Sequence, residues 1–173
     1  MPCSLDVSAE TDMKKWMFFG ALLCLGLGGC ATHGCDTSAP GSPCRADYLL
    51  YQNDMLQAKL LINERREENY ELASALLKRA AKQDTTGEAE FYQAVLLIRL
   101  GADDHQVNDM LKESADRKYP LAIALLAERT ATRDQEKALV YRSQYDELDV
   151  AKSGYPSFAQ ALVVVNKLVA RTN

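Results

Sequence analysis

Ala75-Leu76-Leu77-Lys78-Arg79-Ala80-Ala81 and Asp109-Met110-Leu111-Lys112-Glu113-Ser114-Ala115 stand 34 residues apart and share an apolar pair, a lysine and a closing alanine. Each is followed by a short turn and a second apolar stretch. Phe91, Ala94, Val95 and Ile98 fall at i, i+3, i+4 and i+7, and Phe158, Ala161, Leu162 and Val165 repeat that spacing. This is the periodicity of an amphipathic helix. Lys118-Tyr119-Pro120 then returns as Gly154-Tyr155-Pro156, 36 residues on, each opening the second helix of a pair. A period of 34 to 36 residues with two helices per unit predicts an all-α protein, a short α-solenoid of helix-turn-helix repeats. No such unit can bury its apolar face alone.

Punctuation along the chain agrees. Thr85-Thr86-Gly87-Glu88 has the form of a capping box, Thr85 and Glu88 satisfying free amides at a helix start. Gly101 follows Leu100 where a left-handed residue can end a helix. Thr132-Arg133-Asp134-Gln135 offers another start, and Pro120 and Pro156 suit a first turn. About seven helices are expected, at 46 to 66, 68 to 83, 87 to 100, 104 to 117, 120 to 131, 134 to 150 and 156 to 171.

Before this region the chain has a different character. Lys14 and Lys15 precede an uncharged apolar run, Trp16 to Leu27. A basic n-region before an h-region of that length reads as an export signal, too short to span a bilayer comfortably. Met13 immediately precedes the lysines, whereas Met1 to Asp12 is acidic and polar, so Met13 is the expected start. The run ends in Leu27-Gly28-Gly29-Cys30, an aliphatic residue, two small ones and a cysteine. That tetrad resembles the lipobox of bacterial lipoproteins. The resemblance implies a signal peptide over 1 to 29, lipid on the Cys30 thiol and an acylated new amino terminus. Several acyl chains make a durable membrane anchor where one does not. Ala31 after the cysteine, by resemblance to lipoproteins of Gram-negative bacteria, implies the outer membrane, facing the periplasm.

Removal of the first 29 of 173 residues leaves 144, enough for one domain with a sizeable core. Against 24 Asp and Glu there are only 20 Lys and Arg, which argues against nucleic acid as a partner. Of the five cysteines, Cys3 and Cys24 lie in the removed segment and Cys30 carries lipid, leaving Cys35 and Cys44 as an even pair. In an oxidising compartment such a pair is expected to close a disulfide. The intervening turn formers close easily, and the ring would contribute about 2 to 3 kcal/mol. A metal site on His33, Cys35 and Cys44 is the weaker reading, because a fourth ligand is missing. Residues 30 to 45 thus read as a lipidated cysteine and tether, and 46 to 173 as the helical repeat domain.

Leu77-Lys78-Arg79-Ala80-Ala81 and Tyr119-Pro120-Leu121-Ala122 resemble the tetratricopeptide class, and more particularly its Sel1-like branch. The glycine-rich loop of a good Sel1 unit is missing. No site for chemistry emerges beside this. His33 lies in the tether and His105 sits beside Asp103 and Asp104 at a helix start, where polar residues cap. Nucleophile-elbow, phosphate-loop, paired-cysteine zinc and His-Glu-x-x-His patterns are all lacking. The expectation is a non-enzymatic protein with no cofactor and no metal.

What remains is a binding surface, since solenoids hold partners in a groove lined by the first helix of each pair. Aromatics and arginines are the commonest interface anchors, which selects Tyr48, Tyr51, Tyr92, Arg99, Tyr141, Arg142 and Tyr145 as candidate partner-binding residues. Ala161-Leu162-Val163-Val164-Val165 is apolar on more than one face, so it is either sandwiched in the fold or leaves a patch, burial being the commoner outcome. Small Sel1-like proteins include immunity proteins against type VI secretion effectors, such as lipases that attack the envelope. Tetratricopeptide lipoproteins also serve as pilotin-like assembly factors or scaffolds of secretion, pilus or polysaccharide export systems. The resemblance thus implies a protein partner, a toxin effector or an export component, met at a membrane.

Overall fold

The computed structural model describes residues 37 to 170, apart from 39, 149, 151 to 153, 155 and 156. Cys30, Cys35, His33 and the signal-like segment therefore lie outside the described residues, as do Tyr155 and Pro156. Among the described residues there are seven α-helices, one 3₁₀ turn over Glu67–Asn69, and no strand. The helices are α1 (Pro43–Glu64), α2 (Tyr70–Ala80), α3 (Glu88–Arg99), α4 (Asp104–Asp116), α5 (Pro120–Ala131), α6 (Gln135–Asp146) and α7 (Phe158–Val169).

Their starts and stops follow from local chemistry. Pro43 and Pro120 occupy first-turn positions, where a missing N–H costs nothing. Pro43 thereby begins α1 three residues earlier than its apolar spacing predicts. Asp103 caps α4 by accepting from the His105 amide, and Asp134 caps α6 by accepting from the Lys137 amide. Ser157 and Gln160 form the capping box that opens α7. Gly101, at φ 71°, closes α3: its own amide donates to the Ile98 carbonyl and that of Ala102 to the Leu97 carbonyl. Lys118 closes α4 with the same pair of bonds, at φ 64° and with a side chain that this conformation disfavours.

The cap of α3 differs from its sequence expectation. Thr85 and Glu88 do not form a box. Gly87 is the cap residue, in the left-handed conformation, and the amides are met from one step further back by Asp84. Gly87 is required twice over. Its φ is +81°, and a Cβ there would stand 2.7 Å from the Ser114 carbonyl oxygen. Ser114 itself donates to the Gly87 carbonyl at 2.6 Å, so the start of α3 is tied directly to α4 here.

The helices pack as antiparallel hairpins, α1 on α2, α3 on α4 and α5 on α6, joined through α2–α3 and α4–α5. The pairing is displaced by one helix from the expected one, which joined α2 to α3 and α4 to α5. The repeat is nevertheless visible in burial. Ala73, Leu77 and Ala80 of α2 match Val107, Leu111 and Ser114 of α4 at the same offset, all buried. α6 and α7 do not form a third pair of the expected kind. α7 touches α6 only lightly and instead lies across α5 and α3. Phe91, Val95, Leu111, Ile123, Leu126 and Val165 are fully enclosed, each worth about 1.5 to 3 kcal/mol of burial.

Candidate interaction surface

Arg99 explains why α7 turns back. Its guanidinium is buried and donates to the Ile62 carbonyl at the end of α1, to the Leu168 carbonyl in α7 at 2.8 Å, and to the Tyr70 hydroxyl of α2 at 3.3 Å. Arg65 adds a bond to the Lys167 carbonyl at 2.9 Å. Two cations thus meet the carbonyl end of α7, where the helix dipole is negative. Arg99 is an internal knot of four helices.

The other anchors chosen from sequence divide in the same way. Tyr145 is 1% exposed and packs edge-on against Phe158. Tyr51 is half-buried, its hydroxyl 3.3 Å from Asp84; burial, with the charges of Asp84 and Glu88, pushes its pKa up to about 12. Tyr92 lies against Phe91 and under the Lys59 ammonium, which is itself paired with Glu88 at 2.6 Å. Tyr141 is partly buried against the core. Tyr48 is exposed, near the start of α1. Arg142 spreads its guanidinium over Phe158, 4.2 Å from the ring centre, and pairs with Asp146 at 3.0 Å. The seven residues do not converge on one place. Cys44, in the first turn of α1, is disulfide-bonded, and its expected partner Cys35 lies outside the described residues.

Two apolar surfaces stand out instead. On α1, Leu49, Leu56 and Leu60 follow one another at i, i+7 and i+11, all exposed, on the side opposite buried Ala58 and Ile62. The second is a groove of about 370 Å³ whose walls come from α5, α6 and α7. Ala127 and Ala131 supply one wall, Ala138 and Leu139 another, Phe158 and Leu162 the third. Small alanines on two of three helices keep it open, and Leu139 is 63% exposed. The valine run of α7 resolves in two directions: Val165 is buried, whereas Val163 and Val164 face outward, so burial of the whole run does not occur.

Polar groups mark the groove unevenly. Arg142 is satisfied at its rim. Glu128 also lines it; one carboxylate oxygen accepts from Asn166 at 2.9 Å, while the other is buried and has no partner. A more polar hollow of about 380 Å³ lies between α4, α5 and α6, where Arg129 and Arg133 share Asp104 at 2.7 and 2.9 Å. Hydrogen bonds from Arg133 and Arg129 hold the Asp104 carboxyl below its ordinary pKa. Lys137 and Asp134 line the same hollow, so its walls carry charges of both signs. No cluster of side chains with metal-ligating chemistry occurs among the described residues, and none of their helices is long and apolar enough to cross a membrane.

Comparison with known proteins finds no matching family, no matching curated relative and no matching solved structure. The groove and its surroundings therefore have to be read on their own chemistry. Leu139 and Glu128, which line the groove, are neither aromatic nor arginine and so lie outside the anchors that interface composition selects. A leucine on the polar helix α6 and a glutamate ending the apolar run of α5 were the available signals.

Proposed function

We infer that this is a non-enzymatic outer-membrane lipoprotein, facing the periplasm and anchored through Cys30, that binds one protein partner. The partner class that fits best is an envelope-targeted type VI effector such as a lipase, which makes this a candidate immunity protein acting by occlusion. The observation that carries the binding reading is the α5–α6–α7 groove, a solvent-open apolar hollow with Leu139 standing exposed at its edge. A mostly apolar hollow with a few polar groups at its edge is the usual form of a binding site. The anchoring reading rests on Lys14-Lys15, the apolar run and Leu27-Gly28-Gly29-Cys30. The likeness of Leu77-Lys78-Arg79-Ala80-Ala81 and Tyr119-Pro120-Leu121-Ala122 to Sel1-like repeats supports the same class of function.

The test is a pull-down with the chain from Ala31 to Asn173 from periplasmic and envelope extracts, read by mass spectrometry, beside a Leu139→Glu bait. The expected result is one stoichiometric toxin, lost with the variant, whose toxicity in the periplasm is relieved by co-expression of this protein. Recovery of secretin, pilus or exporter components by both baits overturns the immunity reading in favour of an assembly lipoprotein.

A further inference from the structure

We propose that the outer face of α1 is a dimerisation seam, through which two copies of this chain pair as a parallel two-stranded coiled coil. The seam is a different surface from the α5–α6–α7 groove and stands independently of what the groove binds.

The register carries it. Ala46, Leu49, Asn53, Leu56, Leu60 and Asn63 are spaced alternately three and four apart, the a and d positions of an unbroken heptad. All six are exposed. The residues of α1 that the fold buries, Asp54, Met55, Ala58 and Ile62, all fall at b, c and f. The helix therefore has two faces, one packed on its own domain and a second with the period of a coiled-coil seam. On that second face Leu49, Leu56 and Leu60 stand 53, 59 and 55% exposed.

The occupant follows from the same positions. Asn53 sits at a, where an asparagine meets its counterpart across the axis of a parallel pair and fixes register and strand number. Against a purely apolar surface, a bilayer included, its amide would be desolvated with no hydrogen bond in return. In the full-length antiparallel register it would face Leu56 instead. The flanking residues also suit self-pairing, since g of one helix meets e of the other five residues on. That sets Lys59 against Glu64, Gln52 against Gln57 and Arg45 against Leu50, so an ion pair forms on each side and no like charges meet. Within its own chain Lys59 bridges to Glu88 at 2.6 Å, and Glu64 accepts from Asn69 at 2.6 Å. An ammonium has three donors and a carboxylate several lone pairs, so the contacts coexist.

Short coiled coils are weak as free peptides because their helices must first form; α1 is already held by its domain, and that cost is absent. The seam is small, below about 1,200 Å² of total buried surface, which places it among weak, reversible interfaces. If Cys30 is lipidated, parallel pairing brings both tethers to the same end, and confinement to one membrane strengthens the pair. The association itself does not require the anchor.

The chain from Ala31 to Asn173, which includes the whole compact unit of residues 35 to 173, is followed by sedimentation velocity from about 5 to about 500 μM. A reversible monomer–dimer equilibrium is expected. Leu56→Glu, checked for unchanged helicity and melting, should abolish it. Asn53→Leu should tighten it about tenfold or more, because a buried asparagine is kept at a cost in stability. Glu64→Lys should weaken it about threefold or more, the difference fading at high salt. Leu49→Cys should form a disulfide between identical positions on mild oxidation, which parallel pairing permits and the antiparallel register does not. A chain that stays monomeric throughout, or a dimer indifferent to Leu56→Glu, overturns the proposal. So does a monomer that binds vesicles of phosphatidylethanolamine and phosphatidylglycerol through Leu56, which makes the face a membrane contact. A dimer lost with Leu56→Glu but never cross-linked through Leu49→Cys overturns the parallel pairing.

Discussion

At the scale of single residues, the Asp84 carboxylate does the most local work. It accepts from the Thr86 amide and hydroxyl and the Ala89 amide, each at 2.7 Å, and from the Tyr51 hydroxyl of α1 at 3.3 Å. Burial by itself would raise its pKa, but these donors outweigh it and hold the group below the ordinary carboxylate range. A depressed folded pKa contributes stability that is present above the unfolded value, about 3.9, and is lost as pH falls through the folded value. Asp84→Ala should therefore cost about 2 to 3 kcal/mol at pH 7. In urea titrations from pH 7 downward the gap to the unaltered protein should narrow below about pH 4; a gap independent of pH would refute the role. Gly87→Ala should cost about 2 to 4 kcal/mol, combining a left-handed alanine with the clash on Ser114, measured as a loss of melting temperature. The glycine was legible in the sequence as a breaker. That Asp84 and not Thr85 caps the helix was not legible, because both lie within reach of the same amides until the turn's direction is known.

Among the helices, α4 and α7 carry the clearest consequences. Lys118 ends α4 at φ 64°, a conformation that glycine holds without strain. Lys118→Gly should raise stability by about 0.5 to 1 kcal/mol, read as a shift in the urea midpoint at constant slope. An unchanged or lowered midpoint would mean that the lysine side chain contributes more than its backbone costs. α7 is held to its neighbours by the face of Ala161 and Val165 and by the carbonyl bonds of Arg99 and Arg65. Arg99→Ala leaves the Ile62 and Leu168 carbonyls and the Tyr70 hydroxyl without their shared donor, and should cost about 3 kcal/mol. Amide exchange should rise first in α7, with α5 still protected. Uniform loss of protection would place Arg99 in the global core instead.

Across the whole molecule, the question is what three hairpins leave uncovered and what α7 does about it. α7 lies on α3 and α5, so deleting residues 158 to 173 should expose apolar surface, seen as dye binding and self-association, and should abolish partner capture with the groove's third wall gone. A soluble truncated chain that still captured the partner would rule out the groove. Much of this fold could be read in advance. The Ala-Leu repeats, Gly101, Pro120 and Asp134 determine helix type and boundaries because helix periodicity and capping depend on residues within one or two turns. The all-α class and the seven segments follow from them. Which helices pair, and where α7 lies, could not be read, because side-chain pattern names an apolar face but not the face that covers it. Arg99 and Tyr145 became internal, and Leu139 and Glu128 became a surface, through contacts spanning tens of residues. Local sequence thus determined the helices, whereas only tertiary packing decided the groove, since a hollow exists only by virtue of the elements that fail to fill it.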